Sequence, residues 1–271
     1  MSVTAAGPQG WGIRVDEHFD KGYLLIEVLL AQPFRLKHAA CNDSAVVVLD
    51  ENVSDSDLKI SLTGNGDLYL SDDHLSLQSF EFSSSGKGDV QLATPSLVVV
   101  ETASIHAVAA SRIQIFTSKL EAKNIELSIT GSGDFQVAAP SMGHTDNTSS
   151  LIAKEKLSVS VTEVEDMDIF YPNVRVGELG VSVTGSGDVH FAARNEFVVA
   201  GSLNASVAYF EGIVIASRSG SSNTQIVKTV GHGEVDLGDI PTVTSAVNTT
   251  GNGHTIVQAT GAIRANVEGS G

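Results

Sequence analysis

"ITGSGDFQV" occupies residues 129–137, and "VTGSGDVHF" occupies residues 183–191. Nearly the same nine residues return after 54 positions. One Gly-x-Gly-Asp is an ordinary turn, since glycine tolerates the positive φ that sharp corners need. Its recurrence is a statement about architecture. Gly-x-Gly followed by a polar residue stands at Gly64-Asn65-Gly66-Asp67, Gly86-Lys87-Gly88-Asp89, Gly131-Ser132-Gly133-Asp134 and Gly185-Ser186-Gly187-Asp188. It continues at Gly231-His232-Gly233-Glu234 and Gly251-Asn252-Gly253-His254. The chain stops on "GSG" at residues 269–271, so the repeat is expected to continue, or to join another module, beyond that point.

The wider gaps hold degenerate copies. "AASRIQI" at residues 109–115 aligns with "GKGDVQL" at 86–92 and puts Arg112 in the Asp position. "EDMDIFY" at 165–171 puts Asp168 there, and "YFEGIVI" at 209–215 puts Gly212 there. The stations read Asp67, Asp89, Arg112, Asp134, Asp168, Asp188, Gly212, Glu234 and His254, in steps of 22, 23, 22, 34, 20, 24, 22 and 20. The long step contains "SMGHTDNTSS", residues 141–150, a polar loop inserted into one repeat.

Each unit holds short alternating runs such as "LKISL" at 58–62, "DLYL" at 67–70 and "LSLQSFEF" at 75–82. Such alternation marks strands with one buried face. The absence of a 3.6-residue period argues against helical solenoids, and the repeat is too short for a propeller blade of about 40 residues. A coil of parallel strands, one turn per repeat, satisfies the pattern. Inward Val, Ile, Leu and Phe then stack one turn apart at roughly 4.8 Å. The expected fold class is all-β, a single-stranded parallel β-helix of about 10–12 turns. Residues 1–51 lack the Gly pairs and read as an N-terminal cap and first turns, which the open sheet edge needs. Residues 52–271 form the repeat β-helix, and the whole is one continuous domain. "YLLIEVLLA" at 23–31 is too short to span a bilayer and is interrupted by Glu27, so it reads as a strand.

The formal net charge is −16. That surface repels phosphate backbones and anionic lipid, which speaks against nucleic-acid and membrane-surface binding. Solubility is its plainest use; attraction of cations or a basic partner is the sharper one. Cys41 is the only cysteine, so no internal disulfide or thiolate zinc cluster can form. No signal peptide opens the chain.

The corner residues read as structural, with no metal, cofactor or catalytic group among them. Asp at a corner caps its own turn through nearby backbone bonds. Calcium-binding Gly/Asp repeats run in nines, less than half of this period. Two bare carboxylates about 5 Å apart in water repel by only roughly 1 kcal/mol, so no ion is required. Arg112 falls between Asp89 and Asp134 and is expected to pair with one or both. The 32 acidic residues are spread evenly rather than gathered in one groove, and "EVEDMD" at 163–168 reads as a solvated turn. The eight His are scattered, and no nucleophile elbow, H-E-x-x-H or P-loop is present. Asn42, Asn52, Asn147, Asn204 and Asn248 head N-x-S/T sequons, compatible with a secreted chain.

The run "PFRLKHAACNDSAVVVLDENVSDSDLKISLTGNGDLYL" at 33–70, with "SITGSGDFQV" and "SVTGSGDVHF" further on, resembles the putative auto-transporter adhesin, head GIN domain family. Arg112, Gly212, Glu234 and His254 depart from its Asp, as does the loop after Pro140. The resemblance implies a right-handed β-helix of surface or envelope proteins. The expectation is a non-catalytic extracellular or cell-surface module, a rigid rod for adhesion or assembly. Its partners would be a protein or glycan surface, or further copies joined end to end. The alternative is a β-helix carbohydrate-active enzyme or polysaccharide-binding module.

Overall fold

The computed structural model describes residues 2–6, 10–14, 38–41, 47–50, 57–108, 112–140, 147–163, 166–210 and 212–269. Residues 23–31, Asn42, Asn52 and the first part of the polar loop, 141–146, lie outside them. The chain divides into two compact units, Met1–Phe34 and Arg35–Gly271. In the first, Ser2–Ala6 pairs antiparallel with Gly10–Arg14, Ser2 opposite Arg14 and Ala6 opposite Gly10.

In the second unit, every regular element among the described residues is a strand, and every pairing is parallel. The strands coil into a β-solenoid. A turn carries three runs: Asp57–Leu62, Leu68–Ser71 and Leu75–Leu77, followed one turn later by Ser79–Ser84, Val90–Ala93 and Ser96–Val99. Each run pairs with its counterpart about 22 residues on: Lys59 with Glu81, Leu68 with Val90, Leu75 with Leu97. From Lys59 the same position passes through Glu81, Ser104, Glu126, Ser158, Gly180, Asn204, Ile226 and Ala246 to Arg264, about nine turns. His38–Cys41 and Val47–Asp50 belong to the turn before. The count falls just below the expected ten to twelve. Ser2–Ala6 and Gly10–Arg14 pair with one another, and the step across the polar loop takes 32 residues.

Alternation explains why these segments are strands. Asp57–Leu62 alternates strictly between buried and exposed or half-buried residues, and Val90–Ala93 and Ser96–Val99 between buried and half-buried ones. A period of two puts every second side chain inside. The inward positions then stack into columns. One runs Leu58, Phe80, Ala103, Ile125, Leu157, Leu179 and Leu203, all buried. Burial of each larger member stabilises the coil by roughly 1.5–3 kcal/mol. Size is matched between turns: Tyr171 is buried over Ala193 of the next turn. Phe191 and Phe197 meet edge to face at 5.4 Å.

The interior changes character near the C-terminal end. The same column continues as Gln225 and Ser245, and the column of Val183 and Val207 continues as Thr229 and Thr249. The Gln225 side-chain amide donates to the Ile240 carbonyl at 2.5 Å, and Thr255 Oγ1 lies 3.0 Å from Thr229 Oγ1 and 3.2 Å from Thr249 Oγ1. Local pairing makes the Gln225 amide nitrogen and the threonine hydroxyls tolerable, while Gln225 Oε1 and Ser245 Oγ have no partner among the described residues.

Candidate functional site

The corner that holds the Gly pairs is the most regular feature of the molecule. The first glycine of the motif makes the bend: φ is +125° at Gly131, +134° at Gly185, +96° at Gly231 and +113° at Gly251. The second is buried, as at Gly187 and Gly233. A side chain at Gly185 would overlap the carbonyl oxygen of Glu163 one turn below, so the close approach of turns demands glycine as much as the torsion does. Three described rungs depart from this pattern, and Gly86 does so by having no positive φ. Glu163 (φ +85°) and Tyr209 (φ +90°) hold the left-handed conformation with a side chain attached.

Beyond the glycines stands the charged station. Asp67 Oδ1 accepts the N–H of Asp89 at 2.8 Å, Asp166 Oδ1 accepts that of Asp188 at 3.0 Å, and Asp188 Oδ1 accepts that of Gly212 at 2.6 Å. The carboxylate therefore caps the next turn of the solenoid rather than its own. It satisfies a backbone donor that the corner leaves outside the strand ladder. Arg112 lies between two of these carboxylates, with Nη1 3.5 Å from Asp89 and Nε 3.8 Å from Asp134. The expected charge ladder is present there. Glu234 and His254 continue the station in register with Gly212.

One assignment is corrected. Asp166, not Asp168, occupies the station, because Met167 pairs with Phe135 below and Val189 above. Asp168 sits two residues further, opposite Gln136 and His190, and its Oδ1 lies 3.3 Å from His190 Nδ1. The steps become 32 and 22 in place of 34 and 20. The signal was present: the Asp stations precede a buried apolar residue, as in Asp67-Leu68, Asp89-Val90, Asp134-Phe135 and Asp188-Val189, and Met167 is that residue here.

Among the described residues, no three His, Cys, Asp or Glu side chains come together to hold a metal. Asn147, Asn204 and Asn248 are exposed. Asn147 already accepts hydrogen bonds from the side-chain amides of Asn173 (2.8 Å, at its backbone oxygen) and Asn195 (3.4 Å, at Oδ1). On another face of a few successive turns a shallow groove runs past Phe170, Ala192, Arg194, Ala216, Arg218 and Asp239. Tyr171 lies beneath it with its hydroxyl buried and unpartnered among the described residues. Burial alone pushes that phenol far up from its ordinary value. Glu121 is held the other way. Lys119 and Lys154, each 2.7 Å away, keep its carboxyl below the usual carboxylate range.

The run "YFEGIVI" at 209–215 carries two aromatics at the corner. Tyr209 and Phe210 replace the Gly-Ser of the motif and are 60% and 74% exposed. The Phe210 ring stacks on His232 of the next turn, centroids 5.0 Å apart and planes 4° from parallel. The signal was the loss of glycine at a rung that needs it.

No helix among the described residues is long and apolar enough to cross a membrane. No curated protein and no solved structure matches the chain. The ladder runs on in register to Gly251 and Gly269, well past residue 141. Residues 13–141 match the family described as putative auto-transporter adhesin, head GIN domain, the same family that the Gly-Ser-Gly-Asp repeats resemble.

Proposed function

We propose that the chain is a non-catalytic extracellular or cell-surface module, a rigid β-helical rod that holds surface partners or assembles with its own kind. The observation that carries this reading is the unbroken parallel ladder from Lys59 to Arg264. Each turn is tied to its neighbours by backbone pairing and by stacked apolar columns, so the side faces keep fixed geometry over many turns. Outward positions mix polar residues with exposed apolar ones such as Val100, Val108 and Ile226, and they can change without disturbing the columns, which suits contact with a protein or glycan surface. Assembly belongs to the same reading, since a parallel ladder can pair edge to edge with that of another copy.

The test is antibody labelling of the full-length protein on intact and permeabilised cells, with sedimentation of the purified chain across a concentration series. Labelling of intact cells, and a sedimentation coefficient that climbs with concentration, are expected. Labelling only after permeabilisation overturns the surface reading. A monomer at every concentration removes the assembly part. Release of reducing ends from pectin-like polysaccharide would favour the carbohydrate-active alternative instead.

A further inference from the structure

The station at Gly212 is a gap in the charged column. Arg112 shows what the fold does with a cation at this position: its guanidinium reaches the carboxylates one turn below and one turn above, Asp89 at 3.5 Å and Asp134 at 3.8 Å. Gly212 occupies the equivalent rung between Asp188 and Glu234 and brings no side chain. Asp188 uses one carboxylate oxygen on the Gly212 N–H. Neither Asp188 nor Glu234 has an ion pair among the described residues.

Two residues before the gap, the corner presents Tyr209 and Phe210. Both are largely exposed, and Phe210 is backed by the His232 ring. Tyr209 adopts its left-handed conformation where the rungs on either side, Gly185 and Gly231, have glycine. Outward aromatics on a strained backbone mark an interaction surface. The chemistry around it selects the occupant. A planar guanidinium stacks on an aromatic face and pairs with carboxylates at its edges. The chain's charge of −16 attracts cations and repels anionic ligands.

We infer that the Tyr209–Phe210 corner is a docking site for a basic protein segment, an arginine of which enters the Gly212 gap between Asp188 and Glu234 as Arg112 does between Asp89 and Asp134. This names the partner chemistry of the surface module proposed above and rests on that reading.

The experiment measures binding of three fluorescent peptides, identical except for a central arginine, lysine or citrulline, to the whole chain by anisotropy at low and moderate salt. The arginine peptide is expected to bind at least tenfold more tightly than the citrulline peptide and to weaken as salt rises. Phe210→Ser should weaken it about tenfold. Gly212→Arg supplies the cation from within: it should abolish binding and leave the thermal midpoint unchanged or higher. A Cβ there comes nearest to the Asp188 carboxylate at 3.0 Å, a flexible side chain that needs to shift by a few tenths of an ångström, and to the Glu234 carbonyl at 3.6 Å. Equal affinity for arginine and citrulline peptides, no binding of either, or undiminished binding by Gly212→Arg overturns the inference. So does a neutral hexasaccharide that binds the chain and is lost with Phe210→Ser, or self-association abolished by that variant. Because the peptides are tested in vitro, these failures are separate from a failure of cell-surface labelling.

Discussion

Replacing Gly185 by alanine tests the account of the corner most directly. Two effects add. Gly185 sits at φ +134°, where an L-residue is strained by roughly 1–2 kcal/mol. The new methyl would also overlap the Glu163 carbonyl and lie 2.7 Å from both Glu163 Cα and N. Those are backbone atoms paired into the ladder, so relief requires the turns to part; overpacking of this kind costs typically about 1–3 kcal/mol. Alanine recovers roughly 0.4–1 kcal/mol by restricting the unfolded chain. The net expectation is a loss of about 2–4 kcal/mol, which corresponds to roughly 5–15 °C in thermal midpoint for a unit of this size. Gly180→Ala is the control. Its φ is not positive and a Cβ there meets nothing within 4 Å, so it should leave the midpoint unchanged or raise it slightly. Circular dichroism melts of the two variants beside wild type decide the matter. A Gly185→Ala midpoint within about a degree of Gly180→Ala would refute both the close approach and the torsional argument, since a drop of even 1 kcal/mol moves a melt by about 2–4 °C.

Asp188→Ala strips the acceptor from the half-buried Gly212 N–H and should cost about 1–2 kcal/mol, while Arg112→Ala removes only an exposed pair and should cost about 0–1 kcal/mol; urea midpoints in the reverse order would contradict the capping role. Glu121 has a depressed folded-state pKa. Its contribution is therefore complete above the ordinary glutamate value and is lost as pH falls through the lower folded value. The gap in urea midpoint between wild type and Glu121→Gln should be widest near neutrality and close in acid; a gap that widens in acid reverses the sign. Tyr171→Phe deletes a buried hydroxyl that has no partner, so thermal melts should show neutrality or a gain of up to roughly 1 kcal/mol; a clear loss would mean that the hydroxyl is satisfied.

What the sequence by itself determined was periodic. The return of Gly-x-Gly-Asp every 20 to 24 residues, with two-residue alternation between copies, specifies a parallel solenoid, because only stacked turns put like residues on like. It also placed Arg112 one turn from Asp89 and from Asp134, within reach of one or both, and the structure pairs it with both. Register inside the degenerate copies was decided by the tertiary structure. Asp166 and Asp168 lie on the same side of a strand and satisfy the short motif equally; burial of Met167 between Phe135 and Val189 chooses Asp166. The bonding of the corner carboxylates was likewise a matter of the third dimension. A local motif predicts a cap on its own turn, but the donor left over at this corner belongs to the turn above, 22 to 24 residues away in Asp67, Asp166 and Asp188. The Tyr209–Phe210 knob and the polar interior at Gln225 and Ser245 are of the same kind. Each is an unremarkable residue in the chain and acquires its meaning from the rung above and below, because in a coil the energetically decisive neighbours are one turn away rather than adjacent in sequence.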